Sequence, residues 1–117
     1  MSTIPSEAEI QARILQTINQ RGHRLWRSNA GKVPTQFGTY IQLFPKGFPD
    51  TVGYRDGDGK FIAIEVKTPT GKLRPEQRAF QAFIKDQPVI YGVARSVEEA
   101  IEIVETKEWR EKHASGR

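Results

Sequence analysis

The chain has no cysteine and only two histidines, His23 and His113, in 117 residues. The first count excludes disulfides and thiolate zinc sites, and the second nearly excludes an imidazole-rich metal site. No apolar run approaches the roughly 20 residues that a membrane helix needs. The first residues, Met1-Ser2-Thr3-Ile4-Pro5-Ser6-Glu7, hold neither a basic nor an apolar stretch, so no secretory signal is expected and the cytoplasm is the expected location. Hydrophobic residues make up 37% of the chain, and Ile, Val and Phe are too frequent among them for a disordered polymer. Two domains would leave halves of about 60 residues, each marginal without staples. One domain over residues 1–117 is expected, with its core over about 6–111 and a frayed tail from about Lys112.

Acids are the scarcer charge, 14 Asp and Glu against 18 Lys and Arg, for a net charge of +4. Such an excess permits nucleic-acid binding without establishing it. Several of the acids fall in one predicted helix, Glu98 to Glu111, which leaves the middle of the chain more basic than the total.

There is no internal repeat and no low-complexity tract. Ser6 with Glu9 three residues on forms a capping box, and Ile10, Ile14, Leu15 and Ile18 recur at helical spacing, so a helix is predicted over Ser6 to Gln20. His23 to Ser28 reads as a short strand, Asn29 to Gly38 as a loop, and Tyr40 to Phe44 as another short strand. Asp50 to Tyr54 and Lys60 to Thr68 are strands joined by the turn signal Asp56-Gly57-Asp58-Gly59. Pro75 opens a helix carrying Ala79, Phe80, Phe83 and Ile84, Pro88 to Ala94 is an apolar strand, and Ser96 with Glu99 caps a last helix. The resulting order, α-β-β-β-α-β-α, indicates an α/β fold, a mixed β-sheet flanked by helices.

Side chains alternate along a strand, so Ile62, Ile64 and Val66 share one face and Phe61, Ala63, Glu65 and Lys67 the other. Both faces begin apolar, which predicts a central strand covered on both sides. Two charges at the end of such a strand need a partner, a metal or a cleft, because an unpaired buried charge costs several kcal/mol. The hairpin brings a third. A two-residue loop at Gly57-Asp58, or a four-residue loop at Asp56 to Gly59, sets Asp50 opposite Glu65; other two-residue loops set it opposite Ala63 or Lys67. In all of these Asp50 shares the face of Glu65 and Lys67, whereas a three-residue loop or a bulge would turn it away. Two carboxylates about 5 Å apart repel, and a hard divalent cation such as Mg²⁺ resolves that repulsion while recruiting water and phosphate oxygens. The chemistry that follows is displacement at phosphorus, with Lys67 beside the metal to orient water or offset charge.

Pro49-Asp50, then fourteen intervening residues, then Glu65-Val66-Lys67 resembles the PD-(D/E)XK nuclease motif. With Gly47-Phe48 before it, Gly71-Lys72-Leu73-Arg74-Pro75-Glu76-Gln77 after it, and Trp26-Arg27-Ser28-Asn29-Ala30-Gly31 ahead, the chain resembles the VRR-NUC (virus-type replication-repair nuclease) branch over about residues 6–94. The resemblance implies a restriction-endonuclease-like core and hydrolysis of DNA phosphodiesters, structured or branched DNA such as Holliday junctions first, with Mg²⁺ or Mn²⁺. It also implies a homodimer. Asp50 and Glu65 match the metal-binding acids, Lys67 the motif lysine, and Val66 the residue whose carbonyl often completes the metal shell.

A glutamate of the first helix commonly joins such sites, and Glu7 and Glu9 compete for the role. At 100° per residue, Glu7 lies about 20° from Ile14 and Glu9 about 140°, which favours Glu7. Gln77 matches the glutamine of the helix after the motif, about 20° from Ile84 at the edge of the buried stripe. Gln81 is a weaker candidate for the cleft. Arg27 and Asn29 are candidates to approach the site from a neighbouring strand end. Lys72 and Arg74, in the loop beside the cleft, lead Arg78, Lys32, Lys46 and Lys85 as candidates for phosphate contact. Two competing readings are a nucleic-acid-binding domain without catalysis and an assembly protein. The acid pair argues against the first, since binding a polyanion needs no clustered carboxylates. Phe37, Tyr40, Ile41, Leu43 and Phe44 would form the interface of the second, which does not preclude catalysis.

Overall fold

The first helix, α1 (Glu7–Gln20), starts at Ser6, whose side chain accepts the Glu9 N–H at 3.1 Å while the Glu9 carboxylate accepts the Ser6 N–H at 3.4 Å. Both legs of the expected capping box are present. The computed structural model to which α1 belongs describes residues 4–29 and 32–113. The readings at Met1 to Thr3, Ala30 and Gly31, and beyond His113, lie outside the described residues. Along the chain follow β1 (Arg24–Arg27), β2 (Lys32–Pro34), β3 (Tyr40–Gln42), β4 (Thr51–Tyr54), β5 (Phe61–Val66), α2 (Pro75–Ile84), β6 (Ile90–Ala94), α3 (Val97–Val104) and α4 (Lys107–His113).

The main sheet runs β1-β4-β5-β6, with β1, β4 and β5 antiparallel and β6 parallel to β5. It is the expected mixed sheet, with β5 in its interior. Gly57, at φ 92°, takes the left-handed conformation that the hairpin turn between β4 and β5 needs. Arg55 and Lys60 close a four-residue loop, the Arg55 N–H donating to the Lys60 carbonyl at 2.9 Å. Thr51 stands opposite Ile64 and Tyr54 opposite Phe61, so the register is the one that sets Asp50 across from Glu65.

On one face, Ile62, Ile64 and Val66 are fully buried with Ile10, Ile14 and Ile18 of α1 and with Ala100 and Val104 of α3. The other face carries Val52, Ala63, Glu65 and Tyr91, and α2 lies over its far end, where the Phe80 and Tyr91 rings are 5.9 Å apart. This cover is thinner than the sequence suggests. Phe83, expected inside, is 72% exposed, and Gln77 is the buried residue of α2.

Two further expectations are corrected. The predicted loop Asn29 to Gly38 contains β2, which pairs antiparallel with β3 in a separate ribbon. Pro34 is tolerated there because it ends a two-stranded ribbon whose edges are open. The single helix predicted over Glu98 to Glu111 is two helices, and the part of the expected frayed tail that is described, Lys112 and His113, is helical. The chain leaves the helix at Glu105 (φ −100°, ψ 76°) because that carboxylate turns inward. It accepts from Arg21 at 2.6 and 2.8 Å and from the buried His23 Nε2 at 2.8 Å. His23 Nδ1 in turn accepts the Asp56 N–H at 2.9 Å, so the ring carries its proton on Nε2. Burial raises the pKa of Glu105, but the hydrogen bonds from Arg21 and His23 outweigh it and hold the group below its ordinary value. Among the described residues, no helix is long and apolar enough to cross a membrane.

Candidate active site

Asp50 precedes β4 by one residue, and its Oδ2 accepts the backbone N–H of Val66 at 2.9 Å. That bond crosses the hairpin and ties the first acid to the end of β5. Ser28 secures it from the other side, its N–H donating to the Asp50 carbonyl at 2.8 Å and its hydroxyl to the Pro49 carbonyl. Glu65 is 1% exposed. Its pKa is pushed up to about 9, first by burial, then by the hydrogen bond and the negative charge of Asp50. The positive charge of Lys67 acts in the opposite sense, and the charge of Glu7 adds to the upward shift. Without a cation, Glu65 therefore keeps its proton at neutral pH.

Gln77 fixes the orientation of Glu65. Its Nε2 donates to Glu65 Oε1 at 3.0 Å, and its own Oε1 accepts the Arg74 N–H at 2.8 Å, which settles which way the amide points. Helical spacing places Gln77 only at the edge of the buried stripe; close packing at Gly47 takes it fully inside. A Cβ on Gly47 would stand 2.3 Å from the Glu76 carbonyl oxygen, so glycine there lets the first turn of α2 lie against the segment that leads to Asp50. Lys67 is 7% exposed, and its N–H donates to the Ala94 carbonyl at 3.0 Å.

The structure thus brings Asp50, Glu65, Lys67 and Gln77 together. Glu7 is exposed, yet its charge reaches Glu65, whereas the Glu9 carboxylate is engaged in the cap. Arg27 and Asn29 line a cavity with Ser28 and Val52, next to Asp50. Lys72, Arg74 and Arg78 are exposed, Arg74 lying 3.2 Å from Glu76. Gln81, Lys32, Lys46 and Lys85 are exposed as well.

Three residues escape sequence reasoning. Tyr91 stands beside the site, its pKa raised to about 12 by burial and by the charge of Glu65. Ser28 anchors Asp50. Arg95 holds the loop after β5 by donating to the Thr68 and Gly71 carbonyls at 2.6 and 2.5 Å. Only the parity of β6, which sets Tyr91 beside Ala63, gives a local hint of any of these.

Two carboxylates beside a backbone carbonyl make a set of hard oxygen donors, suited to Mg²⁺ or Mn²⁺ rather than to a soft metal. Among the described residues no group of three or more His, Cys, Asp or Glu side chains is placed to hold an ion. An ion here would keep several positions for water and phosphate oxygens, which is the habit of Mg²⁺.

No curated protein was found similar to the chain. The model of the VRR-NUC domain family matches residues 5–98. That span runs from the cap of α1 to the start of α3 and includes both acids, Lys67 and Gln77, and the chain belongs to the VRR-NUC family, with a nuclease-type fold.

Proposed function

We propose that this protein is an endonuclease that hydrolyses phosphodiester bonds in DNA with Mg²⁺ or Mn²⁺, structured or branched DNA being its substrate. The observation that carries this reading is the pairing of Asp50 with a Glu65 that burial and Asp50 hold protonated. Such an arrangement is costly without a cation and has no use in simply gripping a polyanion. Asp50, Glu65 and the carbonyl of Val66 would hold the metal, with Glu7 reaching it from α1. The ion supplies Lewis acidity and a more acidic bound water.

The rest falls to the chain itself. Lys67 orients the attacking water and offsets charge as an oxygen–phosphorus bond forms and the bond to the leaving oxygen breaks. Gln77 keeps the Glu65 carboxylate turned toward the site. Arg95 sets the loop from which Lys72 and Arg74, with Arg78 one turn along α2, meet phosphates and position the strand without reading its sequence.

A panel of end-labelled four-way junctions, flaps, nicked duplexes and single strands, incubated with Mn²⁺, tests the reading. Cleavage of branched DNA that stops in EDTA is expected, together with calorimetric uptake of Mn²⁺. An intact panel with no uptake would overturn it.

A homodimer is part of the proposal. Phe37, Tyr40 and Ile41, at the ribbon of β2 and β3, are 80%, 69% and 55% exposed. Three large apolar side chains left exposed on one small ribbon mark an association surface. Sedimentation at micromolar concentration is expected to give a dimer, and Phe37→Ser with Tyr40→Ser a monomer; a wild-type monomer would count against it.

A further inference from the structure

A cavity of about 480 Å³ lies beside the acid pair, between the end of β1 and the segment after β3. Arg27, Ser28, Asn29, Gln42, Leu43, Phe44 and Val52 line it. Its volume is in the range that suits a small planar ligand. Leu43, Val52 and the ring of Phe44 give it apolar walls, the Asn29 side chain gives it a polar amide, and the Gln42 amide, whose Nε2 donates to the Leu43 carbonyl at 3.0 Å, adds a second polar group held in place. Arg27 is the one cation among the lining residues, and no acid is among them.

The cavity is fixed to the catalytic end of the sheet by three links. Ser28 bonds to the backbone of Pro49 and Asp50, the Phe44 N–H donates to the Asn29 carbonyl at 3.1 Å, and Val52 follows Asp50 by two residues on the same face, about 7 Å along an extended strand. The Phe44 ring stacks on Phe48 at 4.1 Å, nearly parallel, yet remains 44% exposed. A flat group laid on Phe44 would extend a stack that already exists and is held rigid from behind. Trp26, paired with Val52 on the same sheet face, is 55% exposed.

We infer that this cavity seats an unpaired nucleobase of the strand whose phosphate lies at Asp50 and Glu65. The inference rests on the nuclease reading and names its substrate more closely. A base inside an uninterrupted duplex is stacked on both sides and paired at its edge, so it cannot enter. A base at a branch, flap or gap can, at a small unstacking cost, and its hydrogen-bonding edge then meets amides while its face meets Phe44. Arg27 is the one cation among the lining residues and none of them is an acid, a charge balance that suits the phosphates of a nucleic acid and favours it over a second copy of the chain as the occupant.

The test reads binding in EDTA, where no cleavage occurs, by fluorescence anisotropy of a labelled branched DNA. A single abasic nucleotide is walked through the branch. At one position it should weaken wild-type binding about 10-fold, the scale of one base stacked on an aromatic ring. Phe44→Ala should lose a similar factor on intact DNA and nothing further on DNA abasic at that position. Gln42→Ala, a change at an exposed residue, should show the same coupling more weakly and guards against a folding defect in Phe44→Ala. Equal binding at every abasic position overturns the inference, and so do losses from variant and abasic site that multiply independently. Sedimentation of Phe44→Ala is run alongside, and a dimer that dissociates in step with the lost DNA binding assigns the cavity to a protomer contact instead. Abasic sensitivity in a protein that cuts nothing with Mn²⁺ would leave the inference standing and remove the hydrolytic reading.

Discussion

Asp50→Asn is expected to lower Mn²⁺-dependent cleavage of DNA at least about 10³-fold, the scale of removing a main electrostatic stabiliser from a transition state. Asparagine is the informative replacement. It keeps an oxygen that can accept the Val66 N–H, so the hairpin stays tied, while the negative charge at the metal position is lost. Lys67→Ala should cost activity on a similar scale for a different reason, the loss of the cation that offsets charge on phosphorus. Initial rates on a labelled junction, with circular dichroism as the control for folding, check both. If either variant folds and cuts at the wild-type rate, the roles given to these residues are wrong.

Without metal, the protein is expected to lose stability as the pH rises from about 5 to 9, because of Glu65. Its folded-state pKa is raised to about 9 from an ordinary value of 4.5. Between those values the folded chain holds a proton that the unfolded chain has released, so each step up in pH favours unfolding. The contribution is complete below the unfolded value and is gone once the pH passes the folded one. Thermal melting in EDTA should show Tm falling across this window, and Glu65→Gln, which keeps the partner for Gln77 but cannot ionise, should remove most of the slope. Mn²⁺ should raise Tm most at the alkaline end, where the ion has no proton to displace. A wild-type slope no steeper than that of Glu65→Gln would show that Glu65 is ionised in the folded protein.

The two results test different properties of the site. The first asks whether the acids do chemistry. The second asks whether they are forced together in the resting protein, as the fold requires. A binding domain that merely kept the fold would pass the second and fail the first.

Much of the site is legible in the chain because strand alternation is local. Residues 61 to 67 show which side chains share a face, and the even loop over Asp56 to Gly59 fixes the parity that carries Asp50 across from Glu65. The cap of α1 is equally local: Ser6 and Glu9 satisfy each other within one turn. What tertiary structure alone decided involves residues far apart in sequence. Helical angles leave Gln77 at the margin of a stripe, and only the approach of α2 to Gly47 buries it against Glu65. The last helix breaks at Glu105 because its carboxylate is claimed by Arg21 and His23, more than eighty residues earlier in the chain. Periodicity along a chain reports which way a side chain faces. How deeply it is buried, and what it meets there, depends on the elements packed against it, and burial is what raises the pKa of Glu65.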